Sequence, residues 1–261
     1  MSWTITPSFY GYITDADAKD YLARVHAAEG QTLEPAVALA IEAFVVGCKA
    51  DGIWNAIKAS CILAGARTLS GALVPLVGTA PTNFNFVAGD YNRETGLVGD
   101  GSTKYLDSNR AQNADPQNNA HLSVYVADLN NNTAAFRPFI SNRVVGNGTP
   151  QSTLADRGTT NNLLNISVNG IPGVDTIRAN GFVGGSRATS ASFSYRSGGV
   201  TGTLSTASIA PLSQSTLVYA RPAEDFGAAR LAFYSIGESL NLALLDSRVT
   251  TLINAIGAAI P

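Results

Sequence analysis

Sugar recognition needs flat apolar faces for stacking and planar donors that fix hydroxyl groups. Arg143, Arg187, Tyr195 and Arg196 are the side chains of this sequence that combine those chemistries, on short alternating segments expected to neighbour one another in a β-sandwich. Other chemistry finds less material. The two histidines, His26 and His121, are isolated, one in a helix-periodic stretch and one at the start of a strand-like stretch, so neither has a nucleophile or an orienting partner beside it in the sequence. The turn Gly99-Asp100-Gly101-Ser102-Thr103-Lys104 lacks the G-x-x-x-x-G-K-[ST] spacing and leads into a strand, which sets a phosphate loop aside. Between Gly181 and Ala220 the only charged residues are Arg187 and Arg196, so that stretch offers no acid for general acid/base work.

Composition narrows the partners. Charged residues are 14% of the 261 and the formal net charge is −2, with no Lys/Arg cluster, so the electrostatic footprint that neutralises phosphates is missing and nucleic acid is not an expected partner. Cys48 and Cys61 have no metal-ligating neighbours in the sequence and are expected to be buried thiols. The first residues show no basic and apolar leader pattern, and no 18-residue apolar run occurs, so synthesis in a reducing cytoplasm without membrane insertion is expected.

The elements that would position these side chains change character near residue 80, before which there is one Asn and after which there are nineteen. The early part is Ala-rich and helix-periodic. One helix is predicted from a Thr14 cap to Gly30, a second from Pro35 through Cys48, and a third after Asp51 that turns Ile53, Trp54, Ile57 and Cys61 inward as far as Gly65. Residues 1–78 are therefore expected to be a small helical annex and linker, and 79–261 a sandwich. Its candidate strands are Lys104–Asp107, His121–Ala127, Arg137–Asn142, Ser152–Arg157, Leu163–Val168, Gly181–Arg187, Ser192–Arg196, Thr216–Ala220 and Arg230–Ser235, with Asn/Gly turns between them. Leu245, Val249, Leu252, Ile253 and Ile256 predict a closing helix over one edge of the sandwich.

Three stretches in this order carry a family resemblance: Thr95 to Asp107, with its glycine-punctuated turn into a strand; Ala120 to Ala127; and Ala229 to Leu245, a strand passing through Gly237 into a helix. The chain resembles the concanavalin A-like (laminin-G-type) lectin/glucanase sandwich, in the version found in tailed-phage structural proteins such as tail fibres and other virion appendages. The resemblance extends over about residues 35–261 and includes the stretch from Phe44 to Trp54.

It implies a mainly β, antiparallel jelly-roll sandwich with an N-terminal helical annex and a C-terminal helix. The implied function is that of a structural virion protein, in a tail fibre or baseplate appendage, contacting other virion proteins, with attachment to a host-surface glycan as a further role; a head decoration or head fibre, and a stand-alone carbohydrate-binding module, are the alternatives. A homo-oligomer is expected, with Phe44 and Trp54 on the annex as assembly residues, since an annex of about 65 residues buries little surface by itself. Glucanases of this superfamily carry an E-x-D-x-x-E run on one strand, which this sequence lacks, so the chain is expected not to be an enzyme. Lectins of the family hold Ca²⁺ with loop oxygens, and Asp90, Asn92, Asp100 and Asp107 surround the glycine turn. No fixed-spacing ligand loop accompanies them, so they are expected to form turns, with no metal site and no cofactor.

Overall fold

The computed structural model describes residues 10–130, 136–143, 150–158, 161–169, 174–221 and 225–260. The helices are α1 (Ala16–Glu29), α2 (Pro35–Ala50), the single turn α3 (Leu69–Ala72) and α4 (Leu242–Ala259). The strands are β1 (Ile57–Ile62), β2 (Thr82–Phe84), β3 (Tyr91–Asn92), β4 (Gly96–Val98), β5 (Tyr105–Ala111), β6 (Ala120–Asp128), β7 (Arg137–Arg143), β8 (Pro150–Asp156), β9 (Asn161–Asn169), β10 (Val174–Ile177), β11 (Gly181–Arg187), β12 (Ser192–Ser197), β13 (Val200–Ser205), β14 (Ser215–Val218), β15 (Ala220–Arg221), β16 (Asp225–Phe226) and β17 (Arg230–Gly237).

Two antiparallel sheets pack face to face, as the expected mainly β class requires. The eight-stranded sheet has the order β13-β12-β11-β6-β17-β4-β3, with β1 also paired to β17; the seven-stranded sheet has the order β10-β9-β8-β7-β14-β5-β2. Strand alternation builds the core between them. Leu122, Val124 and Val126 of β6 face the seven-stranded sheet and meet Phe139, Leu154, Leu164, Ile166 and Val218. The other face of the eight-stranded sheet is equally apolar: Phe182, Ala232 and Phe233 lie under Phe44, Val45, Leu245, Val249 and Ile256 of the helices. The register slips between Leu231 and Phe233, which lets neighbours Ala232 and Phe233 both serve the helical layer while Tyr234 serves the inter-sheet core.

The helix ends differ from expectation in detail. Asp15, not Thr14, caps α1 by accepting from the N–H groups of Asp17 and Ala18, while Thr14 donates to Glu42. Gly30 ends that helix at φ 72°, where a side chain would be strained. The expected third helix is replaced by a 3₁₀ turn at Trp54–Ala56 and by β1. Apolar residues at 53, 57 and 61 satisfy a helical period, but a short apolar run suits a buried strand equally, and the free side of β17 supplies backbone partners for it. Ile57 and Ile62 thereby join the helical layer, and Ala59 and Cys61 the inter-sheet core. The closing helix α4 starts at the Asn241 cap and covers the face of the sheet beside α2, not its edge. The amphipathic stripe has to lie where the sheet is apolar on both sides.

The expected boundary between residues 78 and 79 thus separates β1 from its partner β17, and α1 and α2 from the apolar layer they share with α4. A chain beginning at Thr79 would expose Phe182, Phe233, Leu245, Val249 and Ile256. Each such side chain contributes about 1.5–3 kcal/mol when buried, and together they match the whole stability of a typical domain. That shortened chain is expected to lose its cooperative thermal transition and to aggregate; a monodisperse product with a cooperative melt would show that the sandwich folds without its helices.

Candidate functional site

The four sugar-binding candidates do not converge. Arg187 is fully buried on the face of the eight-stranded sheet that meets β9, where Nε donates to the Ile166 carbonyl at 2.9 Å and Nη1 to the carbonyls of Thr189, Ser192 and Thr206. It lies over the Phe193 ring, 5.4 Å from the centroid, and ties two loops to the sheet; its burial lowers its pKa. Tyr195 is half-buried against the inter-sheet core. Its neighbour Arg196 points to the opposite face, as adjacent strand residues must, and donates to Asp246 of α4 at 2.6 Å. Arg143 ends β7 in the other sheet, opposite Gln151. Of the two assembly candidates, Phe44 is core, edge-on to Phe233 with centroids 5.7 Å apart. Trp54 is half-buried beneath Lys49.

The four oxygen-bearing residues around the glycine turn are occupied locally. Asp100 accepts from the backbone N–H groups of Ser102, Thr103 and Lys104 and from the Thr103 hydroxyl. Its partial burial raises the pKa, but these four donors outweigh that and hold the carboxyl well below its ordinary value. Asp90 pairs with Lys104 at 2.5 Å, Asn92 accepts from Glu94, Thr95 and the Thr95 hydroxyl, and Asp107 from Asn109. Among the described residues no group of three His, Cys, Asp or Glu side chains is arranged to hold a metal ion.

His121 is not isolated once the sheet forms. Its Nδ1 lies 2.6 Å from the Glu238 carbonyl, which can only accept, so Nδ1 carries the proton; Nε2 then accepts from the Ser235 hydroxyl at 2.9 Å. Ser123 and Ser235 share a hydrogen bond of 2.8 Å. A hydroxyl, an imidazole and an orienting carbonyl are the parts of a nucleophilic relay. All three side chains are buried, however, and their pairing lies within the packed layers. What the relay does here is satisfy polar groups under the helices.

The surface arrangement with ligand-binding chemistry is at the β2–β5 edge of the seven-stranded sheet. Phe84 and Tyr105 are cross-strand partners and stack with centroids 4.3 Å apart and planes 6° from parallel, and Phe226 leans on Tyr105 at 6.1 Å. Tyr105 is half-buried against the inter-sheet core, while Phe84 remains 37% exposed. Four residues along β5, about 13 Å away, Asn109 donates to the Ala80 carbonyl and the Thr82 hydroxyl. There it lines a half-open cavity of about 170 Å³ with Lys58, Thr79, Ser108 and Arg110. Lys58 and Arg110 keep their charges fixed by Glu238 at 3.1 Å and Asp115 at 2.6 Å. A ring platform and a groove of amides, hydroxyls and fixed cations along one edge match what a saccharide presents. The sequence gives little sign of this edge. Phe84 alternates with Phe86 in a stretch that reads as linker, and nothing in the spacing brings it to Tyr105.

No protein-family model matches the chain, and no curated protein does. Solved structures give distant matches. A Trypanosoma rangeli sialidase in complex with 2,3-difluoro-KDN aligns at 13% identity and a TM-score of 0.48 over 76% of this chain and 32% of that one. The enzymatically active domain of bacteriophage CBA120 tailspike protein 2 aligns at 12% identity and a TM-score of 0.41 over 68% of this chain and 30% of that one. The chain spans about a third of either protein. The expectation that the chain is not an enzyme does not stand, since the structures it is matched to include a sialidase and an enzymatically active tailspike domain; these matches assign no activity to this chain. A missing E-x-D-x-x-E run bears on one way of pairing carboxylates, whereas sheets bring together groups far apart in sequence, as His121 and Ser235 show. No helix among the described residues is long and apolar enough to cross a membrane.

His121 makes stability depend on pH in a defined window. Burial pushes its pKa down to about 4, against the upward pull of the Glu238 carbonyl, while the unfolded chain has the ordinary value of 6.5. Between those values the unfolded chain takes up a proton that the folded one does not, so the contribution is fully present above pH 6.5 and lost as pH falls to 4. It amounts to about 3 kcal/mol. Urea denaturation at about pH 7 and about pH 4.5 is expected to show this loss, and His121→Gln to shrink the difference between the two conditions. An unchanged difference in the variant would assign the effect to carboxylates instead.

Proposed function

We propose that the chain is an appendage protein of a tailed-phage virion, a tail-fibre or baseplate component, whose sandwich contacts a glycan on the host surface through the Phe84–Tyr105–Phe226 edge. The observation that carries this reading is the stack of exposed Phe84 on half-buried Tyr105, with a groove of polar and fixed cationic side chains about 13 Å further along β5. Its chemistry fits saccharide rings, whose apolar faces stack on aromatics while their hydroxyls bond to amides and guanidinium groups. The sparse charge of the chain and the phage-type resemblance of residues 35–261 support the same reading, with other virion proteins as the neighbours of the appendage.

Phe84→Ala and Tyr105→Ala test it against lipopolysaccharide and capsular polysaccharide purified from the host strain. Removing either ring is expected to weaken binding about tenfold, as the loss of a stacking contact worth about 0.5–1.5 kcal/mol beyond its buried area implies. Phe84→Ala is expected to leave the melting temperature nearly unchanged, since the ring stands on an edge strand. Binding that persists in both variants, or no binding by the native chain to either polysaccharide, would overturn the proposal.

A further inference from the structure

Helix α2 carries two apolar faces. Its inward face, Val37, Ala38, Ile41, Phe44, Val45 and Cys48, is buried against the sheet and α4. Its outward face consists of Ala36, Leu39, Ala43, Val46 and Ala50, all exposed, with Leu39 at 48% and Val46 at 46%. The steps between these five are three, four, three and four, the spacing of a heptad seam over two full repeats. An exposed aliphatic stripe of this regularity is the pattern of a helix that packs against another helix.

We propose that this face pairs with the same face of a second copy of the chain, the two α2 helices running antiparallel about a two-fold axis. The seam alternates small and large: Ala36, Ala43 and Ala50 at one heptad position, Leu39 and Val46 at the other. In an antiparallel pair these two positions face each other, so each Leu39 meets the second copy's Ala50 and each Val46 its Ala43. Large side chains enter the space that alanines leave, twice over, as an isologous interface requires. The only charged residues of the helix, Glu42 and Lys49, have opposite sign and sit seven residues apart on one flank of the seam. The same register turns each Glu42 towards the second copy's Lys49. Both are already held within the chain, Glu42 by Thr14 and Lys49 by Asp15 and Asp17, so they enter the interface ordered.

The helix is 16 residues, about 24 Å, long. Alone it makes a seam at the small end of stable interfaces. Leu244, 36% exposed, lies one turn before Arg248, which pairs with Asp51 just past Ala50, so it stands beside the C-terminal end of the seam.

Sedimentation of the full chain over a concentration series is expected to show a monomer–dimer equilibrium that Leu39→Asp or Val46→Asp weakens at least tenfold. These side chains are exposed, so a circular dichroism melt is expected to stay native. Specific register is read by mixing. Leu39→Ala leaves a gap and Ala50→Leu a clash, so each variant dimerises less than the native chain. Their mixture is expected to form heterodimers, because the shortened side chain of the first variant then faces the lengthened one of the second, while the native Leu39 of the second faces the native Ala50 of the first. A native chain that stays monomeric throughout, or a dimer indifferent to both Asp variants, would overturn the proposal. So would a dimer that appears only after residues 1–9 are deleted, since that outcome makes the chain's own N-terminus the cover of this face.

Discussion

Burial of the eight-stranded sheet on both faces is the constraint on which the rest of the structure depends. β17 runs through its middle with seven consecutive buried residues, Leu231 to Gly237, and these must find apolar neighbours above and below. The seven-stranded sheet supplies one side. The other is supplied jointly by the two ends of the chain, α1 and α2 from the start and α4 from the finish, with β1 completing the sheet beneath them. Helices that looked like an attachment are therefore half of a core.

Packing in three layers encloses many polar groups, and each of the following is handled locally. Arg187 is surrounded by carbonyls, Ser123, Ser235 and His121 bond to one another, and Ser141 bonds to Thr153 within the other sheet. A neutral imidazole suits this setting better than a charged one, because its two nitrogens can be matched to one acceptor and one donor without a counter-charge. Charge in this protein is sparse and largely committed to bridges between elements, such as Arg196 to Asp246, Arg248 to Asp51 and Arg93 to Glu34.

Among the described residues, two surfaces stand out for their chemistry. One is the outward stripe of α2, on the helical side of the eight-stranded sheet; the other is the aromatic edge of the seven-stranded sheet, on the far side of the sandwich. Their chemistries differ, aliphatic and self-complementary against aromatic and polar. The proposed contact with a second copy and the proposed contact with a saccharide lie on different sheets and do not compete.

Much of the class was legible in the residues themselves: the alternation of Leu122, Val124 and Val126, the Asn/Gly turns, the Gly30 stop of α1 and the apolar period of α4 each act through neighbours in the chain, so local spacing determines them. Asp100 as a turn-former belongs with these, since its donors lie within four residues. What only the tertiary structure decided was which elements lie side by side. The strand at 57–62 depended on the free side of β17, and the relay at His121 on a serine 114 residues away. The dispersal of Arg143, Arg187, Tyr195 and Arg196 followed from sheet membership and face, and the meeting of Phe84 with Tyr105 from the edge pairing of β2 with β5. Alternation in a sequence states that a side chain leaves one face of a strand, but the neighbour it finds there is chosen by strand pairing and layer packing between segments that the chain itself keeps far apart.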